Sequence, residues 1–377
     1  MSNIPDVSDI GDMITILRHI GASADELKRG KITVDSSKIR KMEATIPVAT
    51  RLRASFLVMG PLLARFGRAV AFFPGGCQIG TRPVDLHIKG LVQMGAKITQ
   101  SHGIVTAKAK KLQGTRVYLD FPSVGATENI MMAATLAEGV TRIANAATEP
   151  EITDLAKFLR KMGAKITGDG TETIEIIGVS ELHGASHSII PDRIEAGTLL
   201  SAAAITGGDV TVEGVICDHL VPVTAKLSEM GAEIIKNKNS IRLKMNSRLR
   251  SADISTLPYP GFPTDMQAQF SALLSVADGT GIIKETVFEN RFLHVGFLKR
   301  MGANIKTDGR TAVVEGTRFL TGAPVEATDL RAGAALVLAG LAARGMTEIS
   351  EIEHIDRGYC SLDEKLNSLG AGIRRLP

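Results

Sequence analysis

One short phrase recurs six times along this chain: an amphipathic stretch, an apolar residue, Gly-Ala, and then an alternating run. The copies are Ile20-Gly21-Ala22, Met94-Gly95-Ala96, Met162-Gly163-Ala164, Met230-Gly231-Ala232, Met301-Gly302-Ala303 and Leu369-Gly370-Ala371. Their glycines are spaced by 74, 68, 68, 71 and 68 residues. Such regularity is the mark of a tandem supersecondary unit, and it constrains the fold more than any single motif. Each glycine stands where a helix should end, in the left-handed conformation that Gly adopts at little cost. Alternating residues such as Lys97-Ile98-Thr99 predict a strand after it.

A second series of helices, small and apolar, runs up to Gly67, Gly139, Gly207, Gly279 and Gly345, with spans predicted at residues 54–66, 126–138, 195–206, 265–278 and 329–344. Apolar residues around most of their surface mark them as buried, whereas the helices ending in Gly-Ala carry charge on one face and lie outside. One unit therefore holds an inner helix, a strand, an outer helix and further strands. Six units have only five inner helices, and the period puts the missing one ahead of Met1. The first unit is expected to lack about 40 residues on this count. Three units burying their inner helices together make a domain, so the chain reads as two α/β domains, residues 1–187 and 188–377.

Composition narrows the function classes. The 377 residues are 44% hydrophobic and 22% charged, a globular balance. A net charge of +4 without a basic run, no Trp and only 4% aromatic residues argue against nucleic acid. The apolar run at residues 332–343 spans 12 residues, short of the roughly 18–20 that cross a bilayer. Residues 1–12 carry acids and no basic cluster, so the expectation is a cytoplasmic protein without membrane insertion. Cys77, Cys217 and Cys360 are too scattered for a disulfide framework, and the eight histidines show no paired-ligand spacing, so no metal is expected.

The starts of the inner helices carry the chemistry. Their exposed N–H groups welcome anions, and they follow Arg53, Ser123-Val124-Gly125, Asp192-Arg193, Thr264-Asp265 and Asp329-Leu330-Arg331. Singly, Thr264, Asp265, Thr328 and Asp329 read as ordinary N-caps. Together, the repeat directs several of these starts and the arginines beside them toward a region suited to phosphate or carboxylate. The Gly-rich segment 73–83 departs from the repeat and carries Cys77 beside Arg82, a setting that lowers a thiol pKa. Arg82, Arg291 and Arg357 hold equivalent slots before outer helices, and His87 and His294 lie close to arginine-bearing loops. Cys217 and Cys360 read as small packing residues.

The motifs PGGCQIGTRPVDLH (residues 74–87), PSVGATE (122–128), PDRIEAGT (191–198), FPTDMQAQ (262–269), ETVFENRF (285–292), ATDLRAG (327–333) and HIDRGY (354–359) resemble the UDP-N-acetylglucosamine 1-carboxyvinyltransferase family. The resemblance runs from Ser2 to the C-terminus. It implies two inside-out α/β barrel-like domains and transfer of enolpyruvyl from phosphoenolpyruvate to the sugar 3-hydroxyl with loss of phosphate, without metal or organic cofactor. It implies that Cys77 forms an adduct with phosphoenolpyruvate, assists proton transfer and is alkylated by fosfomycin, and that Asp265 is the base. Arg82, Pro83, Val84, Asp85 and Leu86 with Ser123, Val124 and Gly125 would grip the nucleotide sugar, and Val287 would touch it. Arg82, Arg331 and Arg357 would hold phosphoenolpyruvate, with Arg53 and Arg291 lining the same cleft. The substrates are the only partners implied, and domain closure would exclude water.

Two departures from the family pattern stand out. The family's Ser-Gly-Ala-Lys-Asn phrase, whose lysine contacts phosphoenolpyruvate, has no counterpart, and Phe121-Pro122 replaces a more polar pair. Loss of the opening strands is expected to leave part of the second domain's sheet unpaired. The alternatives are a non-catalytic nucleotide-sugar-binding relic and a shikimate-type transferase, against which the cysteine loop speaks.

Overall fold

The structure, a computed structural model, describes residues 1–73, 80 and 84–376. The loop segment with Cys77, Arg82 and Pro83 lies outside the described residues.

All six Gly-Ala phrases close a helix in one way. Gly21, Gly95, Gly163, Gly231, Gly302 and Gly370 have φ between +92° and +106°. Each donates its N–H to the carbonyl three residues back, and the following alanine donates to a leucine carbonyl five back: Leu17, Leu91, Leu159, Leu227, Leu298 and Leu366, at 3.0–3.1 Å. That double bond pattern is the Schellman stop, which requires a left-handed residue at its centre. Gly-Ala is therefore the visible end of a longer Leu-to-Ala signature.

The chain divides into two compact units between Ile190 and Pro191. Residues 188–190, which the repeat count assigns to the second domain, are held in the first by strand-like pairing. Ser188 bridges Ser2 in parallel, Ile189 donates to the Ser2 carbonyl, and Ile190 N–H reaches the Asp154 carboxylate at 3.4 Å.

The first unit contains α1 (Ser8–Ile20), α2 (Pro47–Arg51), α3 (Met59–Phe66), α4 (Asp85–Gln93), α5 (Val124–Ala134) and α6 (Pro150–Lys161). A 3-10 turn over Arg53–Val58 leads into α3. One sheet orders Glu43–Ala44, Arg68–Phe72, Ile104–Lys108 and Lys97–Ser101, the outer pair parallel and the rest antiparallel. A second repeats that plan with Arg116–Tyr118, Val140–Ala144, Thr173–Ile177 and Lys165–Thr167. Ser23–Ala24 and Val34–Asp35 form a third, and Ser2 makes isolated bridges to Lys31 and Ser188. Helices α3 and α5 pack together. On the outer helix α6, Ile152, Ala156 and Leu159 are buried at helical spacing, while Glu151 lies in its first turn and Lys161 ends it.

The second unit contains α7 (Arg193–Thr206), α8 (Val221–Glu229), α9 (Gln267–Val276), α10 (His294–Arg300), α11 (Leu330–Ala342), α12 (Glu353–Asp356) and α13 (Leu362–Ser368). The inner helices α7, α9 and α11 pack on one another and are buried over most of their lengths. One four-stranded sheet repeats the plan of the first unit, with Ile254–Ser255, Thr280–Lys284, Thr311–Glu315 and Asn304–Asp308. The last strand, Glu348–Ser350, pairs on one side only, with Pro324–Glu326, whereas Thr280–Lys284 pairs on both. Among the described residues no strand follows Gly370, whereas one follows each of the other five phrase glycines.

Three inner helices stop earlier than their glycines predict. Helix α5 ends at Ala134, α9 at Val276 and α11 at Ala342, while Gly139, Gly279 and Gly345 lie beyond with φ of +88°, +100° and +88°. Gly139 and Gly279 turn the chain into the strands Val140–Ala144 and Thr280–Lys284. Only Gly67 and Gly207 cap their helices directly.

Candidate functional site

In the first unit, three segment starts meet around one histidine. Arg53 opens the 3-10 turn before α3, Val84 and Asp85 start α4 with Leu86 in its first turn, and Ser123, Val124 and Gly125 start α5. The Ser123 hydroxyl caps the Ala126 N–H at 3.3 Å. His87, 6% exposed, stands edge-on to Phe56 at 5.3 Å. Burial, with the Arg53 charge assisting, pushes its pKa down to about 4. The ring is therefore neutral at pH 7. Asn129 donates from Nδ2 to His87 Nδ1 and to the Phe56 carbonyl, and its Oδ1 accepts from the Gly60 N–H. With Nδ1 accepting, the ring proton sits on Nε2. A Cβ on Gly125 would lie 3.3 Å from that nitrogen, so glycine lets the Ser123–Gly125 turn close on His87. Asn129 had no signal of its own in the sequence.

Beneath this turn, Glu128 on α5 faces Glu149 and Glu151. Burial first, then those two carboxylates, raises its pKa to about 7. A raised carboxyl contributes stability that is complete below its unfolded pKa of about 4.3 and is lost as pH climbs through the folded value. Glu128→Gln should therefore match the wild type in stability near pH 4 and exceed it at pH 8, by about 3 kcal/mol. Thermal melts across that range check this, and parallel curves would refute the assignment.

In the second unit the carboxylate of Asp265 is gripped by two guanidiniums. Arg291 Nη2 donates to Oδ1 at 2.7 Å and Arg331 Nη2 to Oδ2 at 3.0 Å. The arginine side chains are 4% and 13% exposed, against 40% for Asp265. Burial raises the Asp265 pKa, but Arg331 and Arg291 outweigh it and hold the carboxyl well below the usual carboxylate range. Asp329 is the N-cap of α11, accepting from Arg331 and Ala332 N–H. Asp265 and Thr264 are not caps. The Thr264 hydroxyl donates to Glu285 Oε2 at 2.9 Å, and Glu285 Oε1 accepts from Thr256 Oγ1 and from the N–H groups of Val287 and Phe288. Glu285, 1% exposed, thus ties the turn carrying Val287 to the turn carrying Asp265.

Arg331 continues into a buried polar cluster. Its Nη1 donates to the Tyr359 hydroxyl at 3.2 Å, which contacts Thr198 Oγ1 at 3.0 Å, and Gln269 Nε2 reaches both oxygens. Arg357 is carried on the same short segment as Tyr359, at the end of α12. His294 starts α10; burial dominates in pushing its pKa down to about 4, Asp329 opposing and Arg291 adding. His87 and His294 both lie eight residues before their phrase glycines, so they occupy one repeat position. Cys217 and Cys360 are half-buried free thiols.

Among the described residues no group of His, Cys, Asp and Glu is placed to hold a metal, and no helix is long and apolar enough to cross a membrane.

A fold of inner helices under small sheets, with inner-helix starts converging on a carboxylate and paired guanidiniums, defines a class found among known proteins. Residues 1–366 match the family described as EPSP synthase (3-phosphoshikimate 1-carboxyvinyltransferase). The chain resembles the enolpyruvyl transferase NikO of Streptomyces tendae, with a TM-score of 0.89 and 27% identity over 99% of this chain and 89% of that one. It shares the fold of EPSP synthase from Acinetobacter baumannii, with a TM-score of 0.72 at 20% identity, covering 100% of this chain and 97% of that one. UDP-N-acetylglucosamine 1-carboxyvinyltransferase 1 of Caldanaerobacter subterraneus subsp. tengcongensis is 59% identical over 375 residues, covering 100% of this chain and 90% of that protein. UDP-N-acetylglucosamine 1-carboxyvinyltransferase 2 of Carboxydothermus hydrogenoformans is 56% identical over 378 residues, with the same coverage. The chain belongs to the enolpyruvyl transferase family, among the UDP-N-acetylglucosamine 1-carboxyvinyltransferases.

Proposed function

We propose that this chain transfers the enolpyruvyl group of phosphoenolpyruvate to the 3-hydroxyl of UDP-N-acetylglucosamine, releasing phosphate. The observation that carries the reading is 59% identity, across the whole chain, to a protein named for that transfer. In this reaction the sugar oxygen bonds to C2 of phosphoenolpyruvate as a proton reaches the methylene carbon. The tetrahedral adduct then loses that carbon's proton and expels phosphate. Such a sequence needs a base, an acid and fixed cations for the migrating charge.

Arg331, Arg291 and Arg357 supply cations for the phosphate and carboxylate, with Arg82 from the loop. Asp265 takes the hydroxyl proton. A carboxylate held by two guanidiniums is a weak base, so an anionic substrate that draws Arg331 or Arg291 toward itself raises the basicity of Asp265 as it binds. Val84, Asp85, Leu86, Ser123, Val124 and Gly125, with Pro83, grip the nucleotide sugar, Val287 touches the sugar ring, and Arg53 lines the phosphoenolpyruvate cleft. Cys77 handles the proton at the methylene carbon and is the site alkylated by fosfomycin. The reaction belongs to peptidoglycan synthesis and so to cell shape and division, in the cytoplasm. The close full-chain identity favours a transferase over a sugar-nucleotide-binding relic.

The test is phosphate release by the purified chain with both substrates. Fosfomycin should stop it while adding its mass at Cys77. Binding of the nucleotide sugar without any phosphate release would overturn the proposal.

A further inference from the structure

We infer that Tyr359 is a positioning residue for the proposed transfer, presenting a hydroxyl oxygen whose proton is committed elsewhere and so fixing the Arg331 guanidinium. The inference rests on that functional reading and follows from an accounting of protons.

Thr198 donates its hydroxyl proton to the Ile194 carbonyl at 2.9 Å, which leaves its oxygen only able to accept. The contact between Thr198 Oγ1 and Tyr359 OH at 3.0 Å therefore has tyrosine as its donor. Gln269 Nε2 has two hydrogens, and its neighbours are Thr198 Oγ1 at 3.2 Å and the Tyr359 oxygen at 3.3 Å. Arg331 can only donate, so its 3.2 Å contact puts a guanidinium hydrogen on the tyrosine oxygen. The two hydroxyl hydrogens and the Gln269 amide hydrogens are assigned without conflict, and Gln269 Oε1 is left as a buried acceptor without a partner among the described residues. The tyrosine gives its proton to Thr198 and accepts from Gln269 and Arg331.

Thr198, Gln269 and Tyr359 are 1%, 0% and 1% exposed, so no solvent competes for these bonds. The Tyr359 ring also lies beside the cation, 5.6 Å from centroid to guanidinium carbon. Arg331 is thus held at Nη1 by the tyrosine and at Nη2 by Asp265. Of its five N–H groups, Nε and the second hydrogen on each Nη keep no partner among the described residues. Those three form the fork that suits a phosphate or carboxylate. The phenol oxygen sets where the fork points.

Tyr359→Phe removes one oxygen and keeps the ring. The variant should keep the wild-type melting temperature and the KM for UDP-N-acetylglucosamine while kcat/KM for phosphoenolpyruvate falls ~10–100-fold. Thr198→Ser keeps the acceptor and should behave as wild type, whereas Thr198→Val should reproduce part of the loss. Thermal stabilisation by added phosphoenolpyruvate, with the nucleotide sugar present, gives a readout without turnover and should shrink in Tyr359→Phe. An unchanged phosphoenolpyruvate response in Tyr359→Phe, or an equal loss for both substrates with a lowered melting temperature, would overturn the positioning role. Failure of the wild type to turn over the two substrates would instead sink the functional reading.

Discussion

Replacing Asp265 with alanine is expected to remove at least about 1,000-fold of turnover and to make the folded protein hungry for anions. Arg291 and Arg331 lose their shared counter-ion in this variant, and with side chains only 4% and 13% exposed they cannot recover it from water. Leaving such charges unpaired costs about 2–3 kcal/mol. Millimolar phosphate should recover more melting temperature in Asp265→Ala than in the wild type, because the ion can settle between the guanidiniums. Asp265→Asn keeps the shape and loses the charge, which separates charge from packing. Because the two arginines hold the Asp265 pKa low, its contribution is present above the unfolded value of about 3.9 and is lost as pH falls below it. The stability gap between wild type and Asp265→Asn should be flat from pH 5 to 9 and close only in stronger acid. Equal phosphate responses in wild type and Asp265→Ala would contradict the geometry.

A comparable loss, in stability rather than turnover, is expected at Gly178 and Gly316. These glycines hold one repeat position in the two units. Gly178 donates to the Gly139 carbonyl and Gly316 to that of Gly279, each at 3.0 Å, while Val179 and Thr317 donate to Thr135 and Ser275 at 2.8 Å. A Cβ would fall 1.7 Å from the Ala137 carbonyl oxygen at one site and 1.8 Å from that of Ala277 at the other. Both obstructions belong to the stretch between the early end of an inner helix and its trailing glycine. Where helix and glycine abut, at Phe66-Gly67 and Thr206-Gly207, the corresponding positions are Ala109 and Met245, which carry side chains. Gly178→Ala and Gly316→Ala should each cost more than about 3 kcal/mol, and Ala109→Gly less than about 1. Denaturant titration decides, and a mild effect at Gly316 would show that the Ala277 segment yields.

Those same segments show where reading from sequence ran out. The six outer-helix ends were legible because a Schellman stop admits little but glycine at its centre, and its partners lie within five residues. The sequence places the ends of α5, α9 and α11 too late, since Gly139, Gly279 and Gly345 serve the turn beyond the helix rather than its cap. Asp265, Arg291 and Arg331 could be named as candidates because each stands at or beside a helix start. The groups that hold them could not. Thr198 and Tyr359 are 161 residues apart, and His87 and Asn129 are 42 apart, so neither pairing leaves a local pattern. Glu285 was a letter in a motif until the structure showed four donors converging on it.

The bridge from Ser2 to both Lys31 and Ser188 carries a topological consequence. Residues 2 and 188, at opposite ends of the described first unit, are neighbours in space although far apart along the chain. The unit's contacts care about neighbours in space and are indifferent to which peptide bond is left unmade. A covalent link made between those two neighbours would close a ring of chain without disturbing any pairing described above.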